Sequence, residues 1–230
     1  MNVNSNAYTY TFATVMVVLV AVLLSGASLG LKSKQASNIS QEKKQSILAS
    51  IGIEVDRSES DAAFGEYIKQ SLTLRGGSVV SEDASAAFDI DMAAAIKAGN
   101  MDRSVPLYVA DKHGDTYYII PMRGKGLWGP VWGYLALESD GNTVVGATFD
   151  HKSETPGLGA EITMPMFTEQ FPGKKISEAG MFKSISVVKA GTSAGDYAVD
   201  GISGGTITSN GVNDMLTDCL APYAEYFKNI

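Results

Sequence analysis

The stretch "YAVDGISGGTITSNGV", residues 197–212, decides how the chain is to be read, because it runs from a strand pattern through a glycine-rich loop into a helix. Tyr197 to Val199 suit a short strand, Gly201 to Gly205 a loop, and a helix is predicted to start near Thr208 or Ser209. A helix N-terminus leaves backbone N–H groups without intrahelical partners and carries the positive end of the helix dipole, so such a junction suits a phosphate. Glycines let a ligand approach the backbone, while Ser203, Thr206, Thr208 and Ser209 add hydroxyls. The pattern is neither a Walker A loop, which needs Gly-Lys-Ser/Thr, nor a dinucleotide fingerprint, which needs GxGxxG in a parallel unit. From these features alone a capped helix after a turn explains the stretch equally well.

Downstream, Val212, Met215, Leu216, Cys219, Leu220, Tyr223 and Phe227 follow at offsets of three and four, giving one apolar stripe. Pro222 is predicted to kink or split this terminal helix. Cys219 lies on the stripe and reads as a packing residue. Upstream the period changes to two. "LYVADKHGDTYYIIPM" predicts two strands around His113-Gly114-Asp115, and "VWGYLALESDGNTVVGATF" two more around Asp140-Gly141. "TMPMFTEQF" reads as a short helix with Pro165 near its start, and "SISVVKA" as a strand. "DAAFGEYIKQSL" predicts a helix capped by Asp61 with Phe64, Tyr67, Ile68 and Leu72 on one face; "SAAFDIDMAAAIKAGN" predicts another, stopped by Gly99. The fold class is therefore α+β, a mainly antiparallel sheet with flanking helices.

The N-terminal region has a different character. "FATVMVVLVAVLLSGASLGL", Phe12 to Leu31, contains no charge and is long enough to span a bilayer, with Tyr8 and Tyr10 before it and Lys32 and Lys34 after it. Small residues at 25–28 resemble a signal-peptide cleavage site, but no Lys or Arg precedes the apolar run and the run exceeds a signal core, which favours a retained anchor. The expected organisation is a short tail at 1–11, a single transmembrane helix at 12–31, a helical stalk at 32–52 broken by Gly52, and one domain at 53–230. Lysines after the span vote for a cytoplasmic C-terminal side, weakly, because the remainder is a long domain.

Bulk properties exclude several classes. With 45% apolar and 19% charged residues the chain is not disordered, and a net charge of −7 without clustered Lys and Arg argues against nucleic acid as a partner. One cysteine precludes an internal disulfide and a cysteine-based metal site; His113 and His151 are too few and too separated for a metal, so none is expected.

"DGISGGT", Asp200 to Thr206, resembles the flavinylation signature Asp-x-x-Ser/Thr-Gly-Ala-Thr, with Gly205 in place of alanine. "GKGLWGP" (124–130) and "SETPGLGAEI" (153–162) are similar to the corresponding segments of the C-subunit family of bacterial sodium-translocating NADH:quinone oxidoreductases. With the anchor and the terminal helix, this resemblance covers essentially the whole chain.

The resemblance implies an FMN-binding domain in which Thr206 carries FMN through a phosphoester, attached by a separate flavin transferase that uses FAD as donor. Asp200 and Ser203 would be recognition residues for that transferase, and Ser203, Gly204, Gly205 and Thr208 would surround the phosphate. Leu127, Trp128 and the turn Thr155, Pro156, Gly157, Leu158 and Gly159 would wall the ring, with Lys125 and Glu154 hydrogen-bonding the ribityl chain or ring edge. It further implies an electron carrier, inactive alone, in a membrane complex that couples NADH oxidation by quinone to sodium transport. NADH oxidation and the sodium path would belong to other subunits. The family places the globular domain on the periplasmic face of the bacterial inner membrane, against the lysine vote. Two rivals stand beside this reading: RnfG, the homologous flavin protein of the ferredoxin:NAD oxidoreductase (Rnf) complex, and a membrane-anchored module holding a free phosphate ligand without redox chemistry.

Overall fold

In the computed structural model, which describes residues 3, 5–98 and 103–228, the chain forms two compact units, Met1–Lys43 and Lys44–Ile230. The first unit is helical. Helix α1 spans Asn6–Ala49, and its 44 residues reach about 66 Å at 1.5 Å per residue. It is long and apolar enough to cross a membrane, and its apolar side chains from Phe12 to Leu31 are exposed. The last turns of α1, from Lys44, belong to the second unit. There Gly52 takes a positive φ of 71° after the helix ends, and Lys112 Nζ donates to the terminal carbonyl of Ile51 at 2.8 Å.

The second unit is built on a six-stranded antiparallel sheet in the order β2-β1-β3-β4-β5-β6, with β1 at Ile68–Arg75, β2 at Ser78–Ser81, β3 at Ser104–Lys112, β4 at Asp115–Lys125, β5 at Pro130–Leu137 and β6 at Val144–His151. Both hairpins expected from the alternating pattern are present, β3–β4 around His113-Gly114 and β5–β6 around Asp140-Gly141. Alternate side chains of the sheet feed two cores. Val105, Leu107, Ile120, Met122, Leu135 and Leu137 point toward α6 (Thr206–Phe227) and the short helix α5 (Pro165–Thr168); Tyr108, Ala110, Ile119, Tyr134 and Ala136 pack against Ile47 and Ile51. The expected strand at 185–188 is β9 (Ser186–Val188), which pairs in parallel with β10 (Ala198–Asp200).

Two helices expected from periodicity are shorter than their patterns suggest. Helix α2 covers only Ser60–Tyr67, and from Ile68 the chain pairs with β3; the backbone partners offered by β3 outweigh the apolar stripe. Asp61 is not the cap but sits in the first turn, where its carboxylate pairs with Lys44 Nζ at 2.6 Å. The stretch at 84–98 forms two short helices, α3 (Ala84–Phe88) and α4 (Met92–Ala95). Asp83 accepts the amides of Ser85 and Ala86, and Asp91 accepts that of Ala93, so two aspartates each cap a separate turn. Gly99, the expected stop, lies outside the described residues.

The terminal helix is not split. Helix α6 begins at Thr206, two residues earlier than expected, and runs through Pro222 to Phe227. Proline at 222 removes the N–H that would bond the carbonyl of Asp218, and Arg103 Nη1 donates to that carbonyl at 2.7 Å instead. Arg103 is buried, with Nη2 on the carbonyl of Ile96, the C-cap residue of α4. Cys219 behaves as a packing residue: it is buried, and burial pushes its thiol up to about 11.

The Arg103 compensation gives a double-mutant prediction. Arg103→Met should destabilise the chain by about 1–3 kcal/mol in urea unfolding of the detergent-solubilised protein, by stranding a buried carbonyl. In a Pro222→Ala background, which restores the helical donor, the same change should cost about 1 kcal/mol less; equal costs in both backgrounds would contradict the assignment.

Candidate functional site

The start of α6 is shaped by the residue types of the opening stretch. Gly205 is its N-cap and offers no side-chain acceptor, and the first main-chain bond into the helix is from Ser209 N to Gly205 O. The amides of Thr206, Ile207 and Thr208 therefore lack intrahelical partners, as at every helix start, without a cap side chain to occupy them. The hydroxyls divide sharply. Thr208 is 1% exposed and donates to Glu154 Oε2 at 2.6 Å; Ser209 is buried and its Oγ accepts the amide of Ile202 at 2.9 Å. Ser203 and Thr206 are exposed, and Thr206 Oγ1 has no hydrogen-bond partner among the described residues.

Two cavities flank Thr206. One, of about 240 Å³, is lined by Leu127, Glu154, Thr155, Leu158 and Gly159 together with residues 204–208. The other, of about 400 Å³, is lined by Val187 to Ala190, Gly201 to Gly204, Thr206, Ser209 and Asn210. The first is bounded by exposed apolar side chains, Leu127 at 47% and Ile207 at 57%, which suit the face of a planar ring.

The two glycine-rich segments meet at this site because they leave neighbouring strands. The loop after β4 closes on itself through Gly126 N to Gly129 O, and Ser153, following β6, donates to the carbonyl of Trp128. The turn 155–159 is fixed by bonds from Leu158 and Ala160 to Thr155 O, and from Gly157 N to Glu161. Glu154 is 4% exposed and accepts both the Trp128 amide and the Thr208 hydroxyl.

The structure thus gathers Leu127, Glu154, Thr155, Leu158, Gly159, Gly204, Gly205, Thr206 and Thr208 around one cavity, and places Ser203 on the other. Pro156 and Gly157 form the exposed outside of the turn, and Trp128 flanks the loop at 66% exposed. Lys125 is elsewhere, lining a cavity between β4 and α6 with Arg123, Gly211 and Asp214. Asp200 accepts the amides of Ser193 and Thr192 at 2.8 and 2.9 Å, which hold its carboxyl below the usual carboxylate range. Its backbone is clasped by Gln170, which accepts from Asp200 N and donates to Asp200 O. Gln170, Ile207 and Ser209's bond to Ile202 escaped the site reading, since a glutamine 30 residues away carries no local pattern that announces it. Among the described residues no cluster of His, Cys, Asp and Glu could hold a metal.

The class follows from a family profile described as FMN-binding domain, which matches residues 126–221, from the loop after β4 through most of α6. Among individual proteins, the chain is 34% identical over 216 residues to the C subunit of the Na(+)-translocating NADH-quinone reductase of Vibrio campbellii, covering 85% of this chain and 83% of that protein. The crystal structure of the C subunit from Parabacteroides distasonis superposes with a TM-score of 0.79 at 44% identity, covering 86% of this chain and 96% of that one. That of Shewanella oneidensis NqrC gives 0.68 at 25% identity, covering 83% and 98%. The chain belongs to the NqrC family, the C subunits of Na(+)-translocating NADH-quinone reductases.

The glycines at the start of α6 differ in what they tolerate. A Cβ on Gly205 would meet Ile202 and the Gly159 amide at 3.1–3.3 Å with an ordinary φ, whereas Gly204 has φ 78° and a Cβ there would lie 2.8 Å from Leu158 Cδ2. Gly205→Ala should keep its flavin, and Gly204→Ala should lose most of it, read as the flavin-to-protein absorbance ratio of purified protein. Loss in Gly205→Ala alone would reverse this account of the loop.

Proposed function

We propose that this chain is the covalent-FMN electron-carrier subunit of a sodium-translocating NADH-quinone reductase, with FMN esterified to Thr206. The observation that carries it is the division of hydroxyls: Thr208 and Ser209 are buried and bonded, while Thr206 is exposed at the first position of α6, between two cavities. Three partner-seeking amides and the positive helix end favour the phosphate of such an ester, and Leu127, Leu158 and Ile207 offer an apolar wall for the ring. FMN supplies electron transfer when bound; the chain's residues place it, orient it and shield one side from water.

A threonine hydroxyl is a weak nucleophile, and no general base adjoins Thr206 among the described residues. Activation is therefore assigned to a separate transferase. Attack by Thr206 Oγ1 on the FMN-side phosphorus of FAD forms one P–O bond, breaks the pyrophosphate and releases AMP. Asp200, through its hold on residues 192–193, and Ser203 at the lip of the larger cavity would present the loop to that enzyme.

In this reading residues 12–31 cross the bacterial inner membrane once, 32–52 form a stalk, and 53–230 form a periplasmic domain facing the other redox subunits of the complex. A covalent tether has a clear use there, where free flavin would diffuse away. Wild type made together with the transferase should keep flavin fluorescence in the denatured band, as should Thr206→Ser, and Thr206→Ala should lose it completely. A dark wild-type band, or a fluorescent Thr206→Ala band, would overturn the assignment.

A further inference from the structure

Glu154 is a buried carboxylate with no cationic partner within salt-bridge distance among the described residues. Its Oε1 accepts the Trp128 amide at 2.8 Å and its Oε2 accepts the Thr208 hydroxyl at 2.6 Å. The space around it is carved by glycines: a Cβ on Gly126 would lie 2.5 Å from Oε1, and one on Gly159 2.6 Å from Oε2. Both oxygens are thus engaged within the protein, so Glu154 is not the ribityl or ring-edge ligand expected from the sequence. Burying a carboxylate without a cation is costly, and an apolar residue of similar volume would fill the same gap at less expense.

We propose that Glu154 is a positioning residue that joins the loop after β4, the turn after β6 and the first turn of α6, and that its carboxylate lowers the reduction potential of the flavin held beside it. The second half of this statement rests on the flavin reading above. Glu154 lines the cavity that includes Leu127, Leu158 and Thr206. An electron arriving on a ring there adds negative charge next to a fixed negative charge in a poorly solvated wall, which disfavours reduction. The bridge also withholds Thr208 from modification, leaving Thr206 as the free threonine of the turn.

Two variants separate charge from bridge. In Glu154→Gln the amide oxygen accepts from Trp128 and its NH2 donates to Thr208, so the bridge survives without the charge. In Thr208→Val the charge stays and the link to α6 is cut. Redox titration of the flavin-loaded full-length chain should show a raised potential in Glu154→Gln and none raised in Thr208→Val. A general loosening would move both alike. In flavin-free protein made without a transferase, Glu154→Ala should speed hydrogen exchange of the Trp128 amide about tenfold, as expected for losing a hydrogen bond to a charged group, while Glu154→Gln should leave it near wild type. An unchanged potential in Glu154→Gln, or a rise shared by Thr208→Val, removes the electrostatic role. Unchanged Trp128 exchange in Glu154→Ala removes the positioning role. Failure of the flavin reading itself shows differently, as a wild-type peptide without FMN on Thr206 alongside an intact exchange result.

Discussion

The close approach of α6 to β4 is the constraint on which the site depends. A Cβ on Gly211 would lie 2.0 Å from the carbonyl of Lys125, and one on Gly124 2.6 Å from Met215 Cβ, so strand and helix meet where neither carries a side chain. This contact sets the N-terminal turn of α6 beside the loops that leave β4 and β6. Below it, Val212, Met215, Leu216, Cys219, Leu220 and Tyr223 fill the larger core, and Tyr223 donates to the carbonyl of Pro106 at 2.7 Å. The prolines of the sheet fit the same geometry. Pairing of β3 with β4 ends at Tyr108 and Ile119, so Pro106 and Pro121 sit where no ladder donor is required on that side.

From that contact the chemistry of the site follows by placement. The helix start brings unpaired amides and an exposed threonine; the loops bring apolar side chains and one buried carboxylate. Each component is ordinary alone. Together they give an anion-binding turn and a ring-binding wall sharing one lining, with the neighbouring hydroxyls committed to internal bonds. The family to which the chain belongs is a family of redox subunits by name, and the arrangement is suited to holding a cofactor at a surface where a partner can approach it.

Much of this was legible in the residues. The hairpins follow from alternation and turn dipeptides, α6 from its apolar stripe, and the glycine–threonine loop from composition. What escaped depends on partners distant in the chain. The end of α2 is dictated by β3, the continuity of α6 across Pro222 by Arg103, 115 residues before Asp218, and the commitment of Thr208 by Glu154, 54 residues away. Local pattern placed Lys125 with the neighbouring loop, yet it ends on the opposite side of the β4–α6 contact. Asp200 lies in a recognisable signature, but its engagement with residues 192–193 is a matter of loop geometry that spacing does not encode.

The central claim concerns one oxygen atom among several hydroxyls within a few residues. Fragment-ion mass spectrometry of the 197–212 region, from chain isolated from native membranes, locates any added group to a single residue. The account predicts FMN less one water on Thr206, with Ser203, Thr208 and Ser209 unmodified. FMN on Ser203, or an unmodified peptide throughout, would contradict it.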